Sequence, residues 1–192
     1  MKYFVGLCFL TCSVVPSFGT TISFATPTGD QGTSHTYGLI TATAYGPGTQ
    51  HLYGKNDGGD ENGLGLTSDP SGDHEITVGQ FIQLDVTSLE GLTISFIMNS
   101  STSPDAWKVF ESSSAFATSG SSTVTGTNES SHTITIGSGM KYLDFTATGG
   151  NVLLSSISYT ATPEPLSLAL TGSGLLGLFL LRRRRAGSPK ID

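Results

Sequence analysis

The chain has 192 residues, of which 36% are hydrophobic and only 12% are charged, and its formal net charge at pH 7 is −6. Residues 20–162 contain three lysines, no arginine and thirteen acidic side chains, so the net charge of this part is −10. Such a charge argues against binding to nucleic acid or anionic lipid, and it favours solubility and attraction of cations.

The first 19 residues are typical of a secretory signal peptide. Lys2 provides the positive start, residues 3–15 are mostly apolar, and Ser17 and Gly19 place small side chains at both cleavage positions. We expect cleavage after Gly19, with Ala25 as the alternative. Both cysteines of the chain, Cys8 and Cys12, lie inside this segment.

Residues 20–162 therefore contain no cysteine, which excludes a disulfide, a thiolate metal site and a cysteine nucleophile there. A segment of this size fits one domain with enough chain to bury a hydrophobic core. Without a disulfide, we expect the domain to depend on that core.

The same segment consists of short β-rich runs separated by Gly, Ser, Asn, Asp and Pro. The predicted runs are 20–26, 36–45, 75–86, 92–98, 106–111, 122–126, 133–136, 140–148 and 151–160. Alternation places Leu92, Ile94, Phe96 and Met98 on one face of a strand. Eight to ten short strands with no long helical pattern predict an all-β domain, an antiparallel, jelly-roll-like β-sandwich.

The segment 112–131 is rich in Ser, Thr and Gly, and we interpret it as strands and loops within the same domain. In the run 140–148, alternation makes Lys141, Leu143 and Phe145 the more apolar face. Met140, Tyr142 and Asp144 would then lie on the opposite face.

An acidic, glycine-rich segment occupies residues 55–76. Its six carboxylates are Asp57, Asp60, Glu61, Asp69, Asp73 and Glu75. Oxygen ligands converging through tight turns are what Ca²⁺ requires, so these residues are candidate calcium ligands. The segment lacks the spacing of a known calcium loop. The alternative is a solvated loop in which Asp, Asn and Gly build turns.

Aromatic side chains are candidates for stacking on sugar rings. Trp107, the only tryptophan, begins a predicted strand where its ring would be exposed, and the alternative is a core anchor. Tyr37, Tyr45 and Tyr53 recur every eight residues, and alternation does not decide whether they share a face.

The domain shows no catalytic motif. The histidines lack zinc-ligand spacing, and there is no G-x-S-x-G sequence. Glu75 and Asp85 fall in predicted strands, where surface positions are expected. We therefore predict no catalytic residue, and a secreted hydrolase is the less favoured alternative.

The C-terminal part combines three features in a short distance. Pro163, Glu164 and Pro165 precede sixteen uncharged residues, 166–181, and Arg182, Arg183, Arg184 and Arg185 follow at once. As a helix the uncharged run would be roughly 24 Å long, somewhat short of a bilayer core. The arginines would be retained on the cytoplasmic side, which leaves the preceding domain outside.

This arrangement resembles the PEP-CTERM sorting signal, here residues 163–186, with residues 187–192 as a cytoplasmic end. The resemblance implies processing by an exosortase-type membrane transpeptidase, anchoring in the inner membrane before processing, and later release to the cell surface or extracellular matrix. It implies a structural or adhesive role in an exopolysaccharide layer. A calcium-assisted carbohydrate-binding module is the alternative.

Overall fold

The structure is a computed structural model that describes residues 18–70, 72–100, 104–127, 129–161, 172 and 174–176. Residues Gly19–Ala161 form one compact unit, which is the unit described below. Its strands are β1 (Phe18–Ser23), β2 (Gly29–Asp30), β3 (Ser34–Tyr37), β4 (Ile40–Tyr45), β5 (Leu52–Asn56), β6 (Asn62–Leu66), β7 (Ile76–Thr77), β8 (Phe81–Asp85), β9 (Thr93–Asn99), β10 (Ala106–Ser112), β11 (Ser121–Gly126), β12 (His132–Thr135), β13 (Tyr142–Gly149) and β14 (Asn151–Ala161). One 3₁₀ turn, Thr87–Leu89, connects β8 to β9.

The strands form two antiparallel sheets, which confirms the predicted all-β class. One sheet has the strand order β12-β9-β14-β6-β5-β2, with β1 and β7 also paired to β14. The other has the order β11-β10-β13-β8-β4-β3. Apolar side chains from both sheets form one buried cluster, as expected for a β-sandwich.

The centre of this core is aromatic. Phe96 of β9 meets Trp107 of β10 and Phe145 of β13 edge to face, with ring centroids 5.5 Å apart in both pairs. These contacts join the two sheets. Trp107 is fully buried, so its ring is not exposed to a ligand, and the core-anchor alternative is observed.

Alternation correctly identifies the inward faces of two strands. Ile94, Phe96 and Met98 of β9 are buried, as are Leu143 and Phe145 of β13. Side chains two residues apart lie on the same face of a strand, so the pattern of apolar residues shows which face meets the other sheet.

Two predicted runs are divided by glycine turns. Residues 36–45 form the β3–β4 hairpin, with Tyr37 opposite Ile40 and Gly38 at φ +61 in the first loop position. Positive φ there suits a tight two-residue turn. Residues 75–86 are divided between β7 and β8, with Gly79 at φ +88 between them.

The predicted signal peptide through residue 17 and the sorting residues Pro163, Glu164, Pro165 and Arg182 to Arg185 lie outside the described residues. Of the predicted span 166–181, the structure describes residues 172 and 174–176, which are helical and exposed. Within the described part of the chain, no helix has the length and apolar character needed to cross a membrane.

The buried position of Trp107 predicts that W107A lowers the free energy of unfolding by about 3–5 kcal/mol, because it leaves a large cavity between the sheets. Urea unfolding of the full-length protein in detergent, followed by far-ultraviolet circular dichroism, measures this change. V78A is the control, since Val78 is exposed, and it should stay within about 0.5 kcal/mol of wild type. An equally small effect of W107A would contradict the core role.

Candidate functional site

The outer face of the six-stranded sheet carries an unusual set of side chains. In β8, Ile82 and Leu84 point into the core, so Phe81 and Gln83 belong to the outer face. The register places Tyr45 of β4 beside Phe81, and it places Asp144 of β13 beside Gln83. These side chains, together with Phe116, are called the outer-face cluster below.

The aromatic part of the cluster is continuous. Tyr45 stacks on Phe81 with ring centroids 4.9 Å apart, and Phe116 meets Tyr45 edge to face at 4.6 Å. Phe116 is 70% exposed and has a φ of +64. This backbone conformation is unfavourable for a bulky residue, and exposure of the ring adds a second cost.

The polar part of the cluster contains a fully buried carboxylate. Asp144 Oδ1 accepts a hydrogen bond from Gln83 Nε2 at 2.6 Å, and Oδ2 accepts one from the Ser112 hydroxyl at 2.8 Å. Burial raises the pKa of Asp144 from 3.8 to about 6, although the two hydrogen bonds oppose this change. Burial also raises the pKa of Tyr45, and charge repulsion from the nearby Tyr142 and Asp144 raises this pKa further.

The connection between β10 and β11, residues 113–120, explains this burial. It starts at β10, yet its Phe116 reaches Tyr45 on β4, so it crosses over β13 and β8. We call residues 113–120 the cover loop. Two cavities lie beside it, of about 240 and 160 Å³, and Thr118 lines the smaller one with Phe81 and Phe110.

The acidic segment is largely organised around Lys55 instead of forming a free loop. The ammonium group of Lys55 donates hydrogen bonds to Glu61 and to Glu75 Oε1, the latter at 3.0 Å. The Ser100 hydroxyl is 2.9 Å from Glu75 Oε1 and 3.2 Å from Glu61 Oε1. The segment also contains strand β6, which the sequence analysis did not predict.

Charge pairing and burial have opposite effects on the pKa values of Lys55, Glu61 and Glu75. Burial opposes the charge on Lys55, but the hydrogen bonds and charges of Glu61 and Glu75 outweigh it and raise the pKa of Lys55. The hydrogen bond from Lys55 lowers the pKa of Glu61, which is only half-buried. Burial raises the pKa of Glu75 despite the same lysine, because Glu75 is almost completely enclosed.

The six predicted calcium ligands do not meet at one point. Asp69 is buried and accepts hydrogen bonds from the backbone N–H groups of Asp73 and Glu75, at 3.2 and 3.4 Å. Asp57, Asp60 and Asp73 are exposed. Across the described ranges, no three Asp, Glu, His or Cys side chains are grouped to hold a metal ion.

The two carboxylates expected at surface positions of strands differ in their exposure. Glu75 is buried, contrary to the expectation, and Asp85 is exposed.

Sequence reasoning missed most of the outer-face cluster. Tyr45 was singled out as aromatic, but its face was undetermined. The alternation Phe81-Ile82-Gln83-Leu84 was a usable signal for one face of β8. Phe116 stands alone as a large apolar residue within a Ser/Thr/Gly-rich segment, and this was a second signal.

In sequence comparisons, no protein-family model and no curated protein matched the chain. The functional argument below therefore depends on the geometry of the domain and on the pattern of its C-terminal sequence.

The raised pKa of Asp144 predicts a pH-dependent stability. The folded state binds the Asp144 proton more tightly than the unfolded state does. The stabilisation that comes from this protonation is therefore complete below about pH 4 and is lost as the pH rises through about 6. In D144N the contacts to Gln83 and Ser112 are retained without a charge. We expect the stability of D144N relative to wild type to rise between pH 4 and pH 7 by up to about 3 kcal/mol.

Urea unfolding at a series of pH values measures this difference. The control is D57N, which removes one exposed carboxylate from the acidic segment and so measures the effect of losing a surface charge alone. Parallel curves for D144N and wild type would show that Asp144 titrates normally in the folded protein.

Proposed function

We propose that the protein is an exported surface or matrix protein whose β-sandwich adheres to polysaccharide through the outer-face cluster. The observation that carries the proposal is Phe116, an exposed phenylalanine in a left-handed backbone conformation against Tyr45. Neither its exposure nor its backbone strain helps the domain to fold. Such costs are typical of positions where an external partner is bound.

The chemistry of the cluster fits a carbohydrate. The C–H faces of a sugar ring pack on aromatic rings, and its hydroxyls need polar partners beside that apolar surface. The cluster supplies the exposed ring of Phe116 beside the half-buried rings of Tyr45 and Phe81. The exposed hydroxyls of Ser114 and Thr118 stand two residues to either side of Phe116 on the cover loop and can serve as the polar partners. Because the domain is strongly acidic, we expect a neutral or amino-containing polysaccharide and not an anionic one.

This mode of binding needs no calcium and no catalytic group. It favours an adhesive or structural protein over the calcium-assisted module and the hydrolase. We assign the topology to the jelly-roll-like class, in which one sheet face is available to a ligand.

Localisation follows from the pattern of the tail. We propose that residues 166–181 form a transmembrane helix, and that Pro163, Glu164 and Pro165 are recognised by an exosortase-type transpeptidase. Support comes from the order and close spacing of the triplet, the uncharged run and the arginines. The domain would then be outside the inner membrane before release to the surface or matrix.

The role of Phe116 is tested with F116G, which removes the ring and tolerates the same backbone conformation. We expect about tenfold weaker retention in native gels that contain hydroxyethyl cellulose, a neutral glucan, because stacking is lost. The unfolding free energy should change by no more than about 1 kcal/mol.

L39A is the matched control for this binding experiment, because Leu39 is another exposed apolar side chain and lies in the β3–β4 turn. Its retention should equal that of wild type. Equal retention of F116G and wild type, or an equal loss in L39A, would refute the assignment of the outer-face cluster.

The tail assignment predicts that changing Arg182 to Arg185 to glutamine impairs membrane orientation and retention, because the positive charges are what hold the end in the cytoplasm. Cell fractionation and protease accessibility of the domain measure this. K190Q removes one downstream charge and should behave as wild type. Unchanged orientation and processing in the arginine variant would count against the sorting signal.

A further inference from the structure

The smaller cavity beside the cover loop, of about 160 Å³, lies on the outer face of the six-stranded sheet. Phe81 of β8 belongs to this face, and so does Phe110 of β10, because it is paired with Asp144. The cavity is lined by Gly79, Gln80, Phe81, Phe110, Thr118 and Thr146. Gly79 and Thr118 are exposed, so the cavity opens to solvent between the β7–β8 connection and the cover loop.

The lining combines aromatic rings with hydroxyl groups, and among the described residues it contains no charged side chain. Phe81 and Phe110 provide the two rings, and Phe110 is only 2% exposed. The Thr146 hydroxyl is already occupied, since it donates to the carbonyl oxygen of Gln80 at 2.7 Å. Thr118 carries a second hydroxyl at the exposed edge. Such a lining suits a neutral group that has an apolar end and a hydrogen-bond acceptor.

A positive charge close to the cavity narrows the choice of ligand. The ammonium group of Lys108 lies over the Phe110 ring, with Nζ 5.2 Å from the ring centroid. A ligand ammonium in the cavity would be repelled by Lys108, and no carboxylate in the described lining would neutralise it. An anionic group would be attracted by Lys108, yet the strongly acidic domain opposes its approach. A neutral group therefore fits best.

The cavity is continuous with the aromatic surface that carries the proposed function. Phe81 lines the cavity and also stacks on Tyr45, which in turn meets the exposed ring of Phe116. The two centroid distances are 4.9 and 4.6 Å, so Phe116 and the cavity lie within reach of one short oligosaccharide.

The volume is that of about five water molecules, which suits a substituent of a sugar better than a whole sugar ring. We propose that the cavity receives the acetamido group of an N-acetylated sugar residue. Its methyl group packs on Phe81 and Phe110, and its carbonyl oxygen accepts a hydrogen bond from the Thr118 hydroxyl. The inference rests on the proposed function for the choice of a polysaccharide, and it adds a preference for N-acetylated over unsubstituted chains.

The test is calorimetric titration of the full-length protein in detergent with tetrasaccharides that share one backbone and differ in a single substituent on each ring. This substituent is an acetamido group in tetra-N-acetylchitotetraose, an amine in chitotetraose and a hydroxyl in cellotetraose. We expect the acetylated sugar to bind about tenfold more tightly than cellotetraose, because a methyl group is buried and a hydrogen bond is gained. The amine gains only salt-sensitive attraction to the acidic domain, so at high salt chitotetraose should bind no more tightly than cellotetraose.

T118W fills the cavity from an exposed position of the cover loop and should abolish the preference for the acetylated sugar over cellotetraose. A115W is the matched control, because Ala115 is also exposed on the cover loop but lines neither of the two cavities. This variant should keep the preference. The ratio of the two affinities is compared within each variant, so an effect of the added ring on overall binding cancels.

F116G separates the two proposals, since it should weaken the binding of both sugars equally and leave their ratio intact. Equal affinity of the wild type for tetra-N-acetylchitotetraose and cellotetraose, or binding of neither, would overturn the inference, whatever the glucan gels show for Phe116. A preference that persists in T118W would overturn it too.

Discussion

The packing of two antiparallel sheets through an aromatic centre is the interaction on which the domain depends. Phe96 from one sheet meets Trp107 and Phe145 from the other, and all three side chains are buried. Since residues 20–162 contain no cysteine, no disulfide can assist this packing. Removal of apolar surface from water must therefore supply the main stabilisation, at about 25 cal/mol per Å². This rigid core leaves the outer faces of the sheets available for other chemistry.

The outer face of the six-stranded sheet departs from an ordinary solvent-facing surface. Asp144 is fully buried without a cationic partner among the residues described, and its raised pKa reflects that cost. Phe116 is exposed in a strained conformation. Both features arise because the cover loop crosses from β10 to β4, and both lower the stability of the domain. Such local costs concentrate where a protein binds or reacts, which is why this face and not the acidic segment carries the functional proposal.

The acidic segment has a largely structural explanation. Lys55 joins Glu61 and Glu75, and Asp69 accepts backbone hydrogen bonds within the turn that follows β6. Pairing of a nearly buried lysine with two carboxylates satisfies charges that would otherwise be costly to enclose. The remaining carboxylates keep the domain strongly acidic, so a neutral or cationic polymer is the suitable partner.

The sequence by itself determined the all-β class, the absence of cysteine, the acidic charge and the inward faces of β9 and β13, because composition and a two-residue period are local properties. The order of triplet, uncharged run and arginines is likewise a local pattern. Tertiary structure alone decided that Trp107 lies inside, that Asp144 is covered, and that the acidic residues gather around Lys55. Each of these depends on segments distant in sequence, such as the cover loop reaching Tyr45 three strands away from its starting strand. Alternation can assign a side chain to a face, but it cannot tell what the rest of the chain lays over that face.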